Sequence, residues 1–82
     1  MNMENKAMLD RAEEAAEYAE AYVTAVYEAG KIAMSAYAAA TPATVRIAAK
    51  AFYSAEETLE IARDAAKKAR EHANSVRMEV TK

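Results

Sequence analysis

The 82-residue chain contains no cysteine and no tryptophan, and only one glycine, one proline and one histidine. Without cysteine there is no disulfide framework, thiolate nucleophile or thiolate metal ligand, which fits a reducing compartment and an expected cytoplasmic location. A single histidine, His72, excludes a histidine pair within one chain. Gly30 stands alone, so there is no glycine-rich phosphate loop. So little glycine and proline leaves few places to turn and calls for long elements. Long apolar runs are also missing. The longest uncharged stretch, residues 32–45, has 14 residues, includes Pro42 and is too short to span a bilayer. Glu4, Lys6 and Asp10 interrupt any apolar start, so no signal peptide is expected.

What the chain does contain is alanine. It supplies 23 residues, whereas Val, Ile and Leu together supply 10. Alanine favours helix more than any other residue but buries little area, so a monomer should be highly helical with a thin core. From Val45 to Val80 the apolar residues recur alternately every three and four: Val45, Ala48, Phe52, Ala55, Leu59, Ala62, Ala66, Ala69, Ala73, Val76 and Val80. This spacing predicts a helix laid along a partner helix, and the alanines allow close backbone approach. Upstream, Met8, Ala12, Ala15, Ala19, Tyr22, Val26, Ala29, Ala33, Ala36 and Ala40 form a second seam, with Tyr22 read as a core residue.

The two seams fall out of phase at Thr41-Pro42, where Thr41 suits an N-cap and Pro42 the first helical position. The expected fold is therefore all-α: an antiparallel two-helix hairpin with an alanine-rich coiled-coil seam, forming one domain. Its first helix is placed at about residues 3–40, its turn at 41–42 and its second helix at about 43–80, with Asn2 or Asn5 capping the start. Each arm of about 38 residues would be roughly 57 Å long. Two signals point to shorter helices instead. Gly30 suits a C-cap, and Ser54 with Glu57 matches a capping box. Both seams nevertheless run through these points in register, which favours continuous arms.

Charge supports the hairpin. Asp10, Glu13, Glu14, Glu17 and Glu20 lie on the first arm, and folding at Pro42 brings them beside Arg63, Lys67, Lys68, Arg70 and Arg77. Exposed pairs add little stability, but collectively they select antiparallel pairing and register. Residues 21–55 carry only four charges (Glu28, Lys31, Arg46 and Lys50), while apolar side chains there fall off the seam. Val23, Tyr27, Ile32, Met34, Tyr37, Ile47 and Tyr53 are the candidate protein-interface residues.

No catalytic, cofactor-binding or metal-binding residue is assigned. His72 borders the seam among Lys68, Glu71 and Ser75 and reads as a solvated edge residue. Glu56, Glu57, Glu60 and Asp64 cluster at helical spacing, but Arg63 and Lys67 neutralise them and no Glu-x-x-His pattern is present. General acid–base work needs a pocket that shifts a pKa, which two alanine-lined helices do not offer. A nucleic-acid role is disfavoured, because Asp64 and Glu71 interleave the basic residues and the net charge is −2. The leading expectation is a non-enzymatic interaction protein that self-associates through residues 21–55 into a homodimeric four-helix bundle. One alternative is a small docking regulator or inhibitor that offers the same surface to a different protein. Another is a designed scaffold, which alanine abundance and matched arms suit and which Met3, Gly30, Met34 and Asn74 oppose.

Overall fold

A computed structural model describes residues 2–81. It contains two helices, α1 (Met3–Ala38) and α2 (Val45–Val80), of 36 residues each, packed antiparallel into a rod measuring 62 × 14 × 12 Å. The described residues include no strand. Asn2 starts α1 as its N-cap, its side-chain oxygen accepting from the Asn5 N–H at 2.7 Å.

Both arms are continuous. Gly30 lies inside α1 with no positive φ, and a Cβ built there would meet only the Cβ of Ala55, at 3.9 Å. Ser54 lies inside α2, where its carbonyl accepts a hydrogen bond from the Thr58 hydroxyl at 2.9 Å. The capping-box signal at Ser54 and Glu57 is therefore unused.

The turn is wider than residues 41–42. α1 ends at Ala38 and α2 begins at Val45; Thr44, not Thr41, takes the position before the helix, and its side chain makes no capping hydrogen bond. The carbonyl of Thr41 accepts from the N–H groups of both Thr44 (3.0 Å) and Val45 (2.9 Å), and the Thr44 hydroxyl accepts from the Thr41 N–H at 3.0 Å. Residues 41–44 thus form one tight turn, closed by hydrogen bonds between Thr41 and Thr44, that leads into α2, and Pro42 sits where a missing N–H leaves no bond unmade.

The α2 seam lies largely where its spacing places it. Ala62, Ala66, Ala73, Val76 and Val80 are buried, and Ala48, Phe52, Ala55, Leu59 and Ala69 are half-buried. Val45 is the exception, exposed at the turn. On α1 only half of the expected seam is correct. Ala12, Ala19, Val26, Ala33 and Ala40 face inward, but the alternate positions are Leu9, Ala16, Val23, Gly30 and Tyr37. Met8, Ala15, Tyr22, Ala29 and Ala36, each one residue earlier, are exposed. The helix is rolled so that aliphatic Leu9 and Val23 meet α2, while Tyr22 is left exposed.

The core is small and lies toward the open end. Leu9 and Ala69 pack on a buried cluster of Ala12, Ala16, Ala73, Val76 and Val80. Each buried methyl contributes only about 0.8 kcal/mol. No side chain larger than alanine is completely enclosed among the described residues.

Candidate interaction surface

Two cross-helix ion pairs identify the sides of the rod. Arg70 donates to both carboxylate oxygens of Glu20, from Nε at 3.0 Å and from a terminal nitrogen at 2.7 Å, and Arg77 donates to Glu13. Seven residues forward on α1 match seven back on α2, as antiparallel pairing requires. The Arg70 hydrogen bonds hold the Glu20 carboxyl below its ordinary range, and Glu20 in turn raises Arg70. Glu13 and Glu20 each follow a buried or half-buried alanine by one position, so all four charges share one flank.

Closer to the turn, the same flank becomes an apolar groove of about 190 Å³ lined by Tyr27, Gly30, Met34, Phe52, Ala55 and Leu59, with Lys31 and Glu56 at its edge. Lys31 stands 5.6 Å from the centre of the Tyr27 ring. Tyr37, Phe52 and Tyr53 form an aromatic cluster with ring centroids 5.6–6.4 Å apart.

The opposite flank has no such charges. On α1 it consists of Met8, Arg11, Ala15, Tyr18, Tyr22, Ala25, Ala29, Ile32 and Ala36, again spaced three and four apart. All nine are exposed and only Arg11 is charged. On α2 the matching positions are Ile47, Ala51, Ser54, Thr58, Ile61 and Ala65, all exposed and uncharged, followed toward the open end by Lys68, His72 and Glu79. Exposure reaches 56% at Tyr22, 73% at Ile32, 74% at Ile47 and 66% at Ile61. α1 therefore carries two complete heptad seams, of which its own hairpin covers one.

No protein-family model, curated protein or solved structure matches the chain.

The seven candidate interface residues do not form one patch. Ile32 and Ile47 lie on the uncharged flank, Tyr27 and Met34 on the opposite one, and Tyr53 within the aromatic cluster. Val23 and Tyr37, expected off the seam, are half-buried within it. Tyr18, Tyr22, Ile61 and the alanines between them belong to the uncharged flank and were missed. Their signal was present in the sequence as the second run of alternate three and four spacings through Met8, Tyr18, Tyr22 and Ile32.

His72 is exposed. Asp10, Glu13, Glu14, Glu17 and Tyr18 border an open acidic hollow. Among the described residues, no three of His, Asp and Glu are placed to hold a metal ion. Also among them, no helix is long and apolar enough to cross a membrane.

Proposed function

We propose that the chain is a non-enzymatic helical interaction protein whose hairpins self-associate into a four-helix assembly through their turn-proximal half, residues 21–55, together with the continuation of its uncharged flank to Ala15 and Ala65. The uncharged flank carries this reading. From Ile47 to Ala65 it runs roughly 27 Å, and two helices make it about 20 Å wide, on the order of 500 Å² per chain. Two such faces reach the ~1,000 Å² that a specific interface needs. Total surface points the same way. The isolated hairpin exposes 6261 Å², whereas a compact monomer of 8.9 kDa would expose about 4,800 Å². A second copy supplies the apolar cover that an alanine core cannot.

A nucleic-acid partner is disfavoured by the ion pairs. Arg70 and Arg77 are held by Glu20 and Glu13, and Lys68 by Asp64 at 3.0 Å, which leaves no continuous basic track.

Sedimentation equilibrium at low micromolar concentration tests the proposal. Wild type is expected at twice the chain mass. Ile32→Asp combined with Ile61→Asp should give a helical monomer, because both side chains are exposed in the hairpin and the change desolvates charge only in the dimer. Tyr27→Lys with Met34→Lys, on the other flank, should leave the dimer intact. A stable wild-type monomer with a high melting temperature would refute self-association and leave the same face for a different protein.

A further inference from the structure

We propose, on the basis of that self-association, that the two hairpins pair with their turns at the same end, so that each α1 lies between its own α2 and the α2 of the partner. A two-fold face-to-face pair has two basic arrangements. With the axis along the rods, the turns coincide and α1 faces the partner's α2. With the axis across the rods, the turns point apart, α1 lies on α1 and α2 on α2.

Charge favours the first arrangement. α1 carries seven acids and three bases, net −4, whereas α2 carries seven bases and six acids, net +1. Alternating the helices places each acidic arm between two arms of opposite sign and keeps the acidic arms on the diagonal. Stacking α1 on α1 sets like charges within about one Debye length of each other. Electrostatic matching of this kind selects orientation more than it adds affinity.

The pattern along the flank agrees. On α2 it is uncharged only from Ile47 to Ala65 and then meets Lys68, His72 and Glu79. With turns apart and rods fully overlapped, Ile47 and Ala51 of one copy would lie on that polar end of the other, stranding its charges on an apolar face. Staggering the rods so that only the turn halves overlap avoids this, but it leaves Tyr18 and Ala15 uncovered. With the turns together, the register of the Glu20–Arg70 and Glu13–Arg77 pairs sets Ile47–Ala65 of each copy level with the partner's α1 flank from Ala25 to Ala36, so Ile32 meets only uncharged residues, while Lys68 and His72 fall level with Tyr22 and Tyr18, and Glu79 level with Arg11, its opposite charge.

The absence of native cysteine makes a distance test clean. Ala43→Cys in the exposed turn and Lys6→Cys near the open end are each spin-labelled in separate samples, and the distance between the two copies is measured by dipolar spectroscopy. The turn-to-turn arrangement predicts distances within about 25 Å at both positions, given helices packed 8–10 Å apart plus the label arms. A distance near the 62 Å rod length at either position would overturn it. So would a short or intermediate distance at residue 43 with none measurable at residue 6, which marks the staggered pair. Either result from a sample of dimer mass rejects the orientation alone. A labelled sample of monomer mass rejects the self-association itself, and the orientation with it.

Discussion

Replacing Gly30 by alanine should stabilise the protein, and the structure sets the size of the gain. Gly30 occupies the interior of α1 with an ordinary right-handed backbone, so the new side chain meets no conformational penalty. Its Cβ would touch only that of Ala55, at a van der Waals distance of 3.9 Å. The gain in helix propensity is about 0.8–1.0 kcal/mol. Partial burial of one methyl against the groove wall adds a fraction of ~0.8 kcal/mol. The sum is about 1–1.5 kcal/mol, which in a chain of this size raises the melting temperature by roughly 4–12 °C. Thermal and urea unfolding followed by circular dichroism measure it, at one fixed protein concentration because association couples to stability. The urea midpoint should rise with an unchanged m-value. A lowered midpoint would refute the reasoning: it would mean that α1 breaks at Gly30 and uses a left-handed residue there.

Two further perturbations probe the seam and its flank. Ala73→Leu, at a fully enclosed position, should overpack the open end and lower stability by about 1–3 kcal/mol, whereas Ala38→Leu, exposed at the end of α1, should stay within about 0.5 kcal/mol of wild type; equal melting curves would refute the register. The Glu20 carboxyl lies below its unfolded value of 4.5 because Arg70 hydrogen-bonds to it, so its contribution is present above that pH and is lost as pH falls through the folded value. Glu20→Gln should therefore flatten the fall in urea midpoint between about pH 5 and about pH 3, and an unchanged slope would show that the pair does not persist in solution.

The hairpin, the α2 seam and the apposition of acidic and basic arms were legible in the sequence because each rests on a pattern with one solution. On α2 nearly every inward position is apolar while most of its neighbours are polar or charged, as at Glu56, Glu60, Lys67 and Arg77. α1 was read half wrongly because it offers adjacent apolar choices at each alternate position: Met8 or Leu9, Ala15 or Ala16, Tyr22 or Val23, Ala29 or Gly30, Ala36 or Tyr37. Both phases satisfy the same heptad rule, and hydropathy does not separate Ala15 from Ala16. Packing separates them through the few large residues, which pull Leu9 and Val23 inward. The same duplication concealed the uncharged flank, since the residues assigned to the first seam belong to the second. The turn is longer than Thr41-Pro42 suggests because Thr41 bonds to Thr44 through backbone and side chain, and this closed turn precedes the helix start at Val45.

The uneven distribution of the core also determines where the molecule opens. Among the described residues none between 27 and 61 is buried, whereas both ends of the chain are fastened by Leu9, Ala12, Ala16, Ala73, Val76 and Val80. Helical hairpins held mainly by their loop fray from the free ends. Here the tightest packing joins residues more than fifty positions apart, such as Ala16 and Ala73, and the weakest lies next to the loop that links the arms. Transient separation should therefore begin as a bubble beside the turn, and helical amides between residues 27 and 61 are expected to exchange through that local opening before those around Ala12, Ala16, Ala73 and Val76. The uncharged flank runs along this same segment, so in the proposed self-association a copy seated there would act as a clasp on the loose end of the rod.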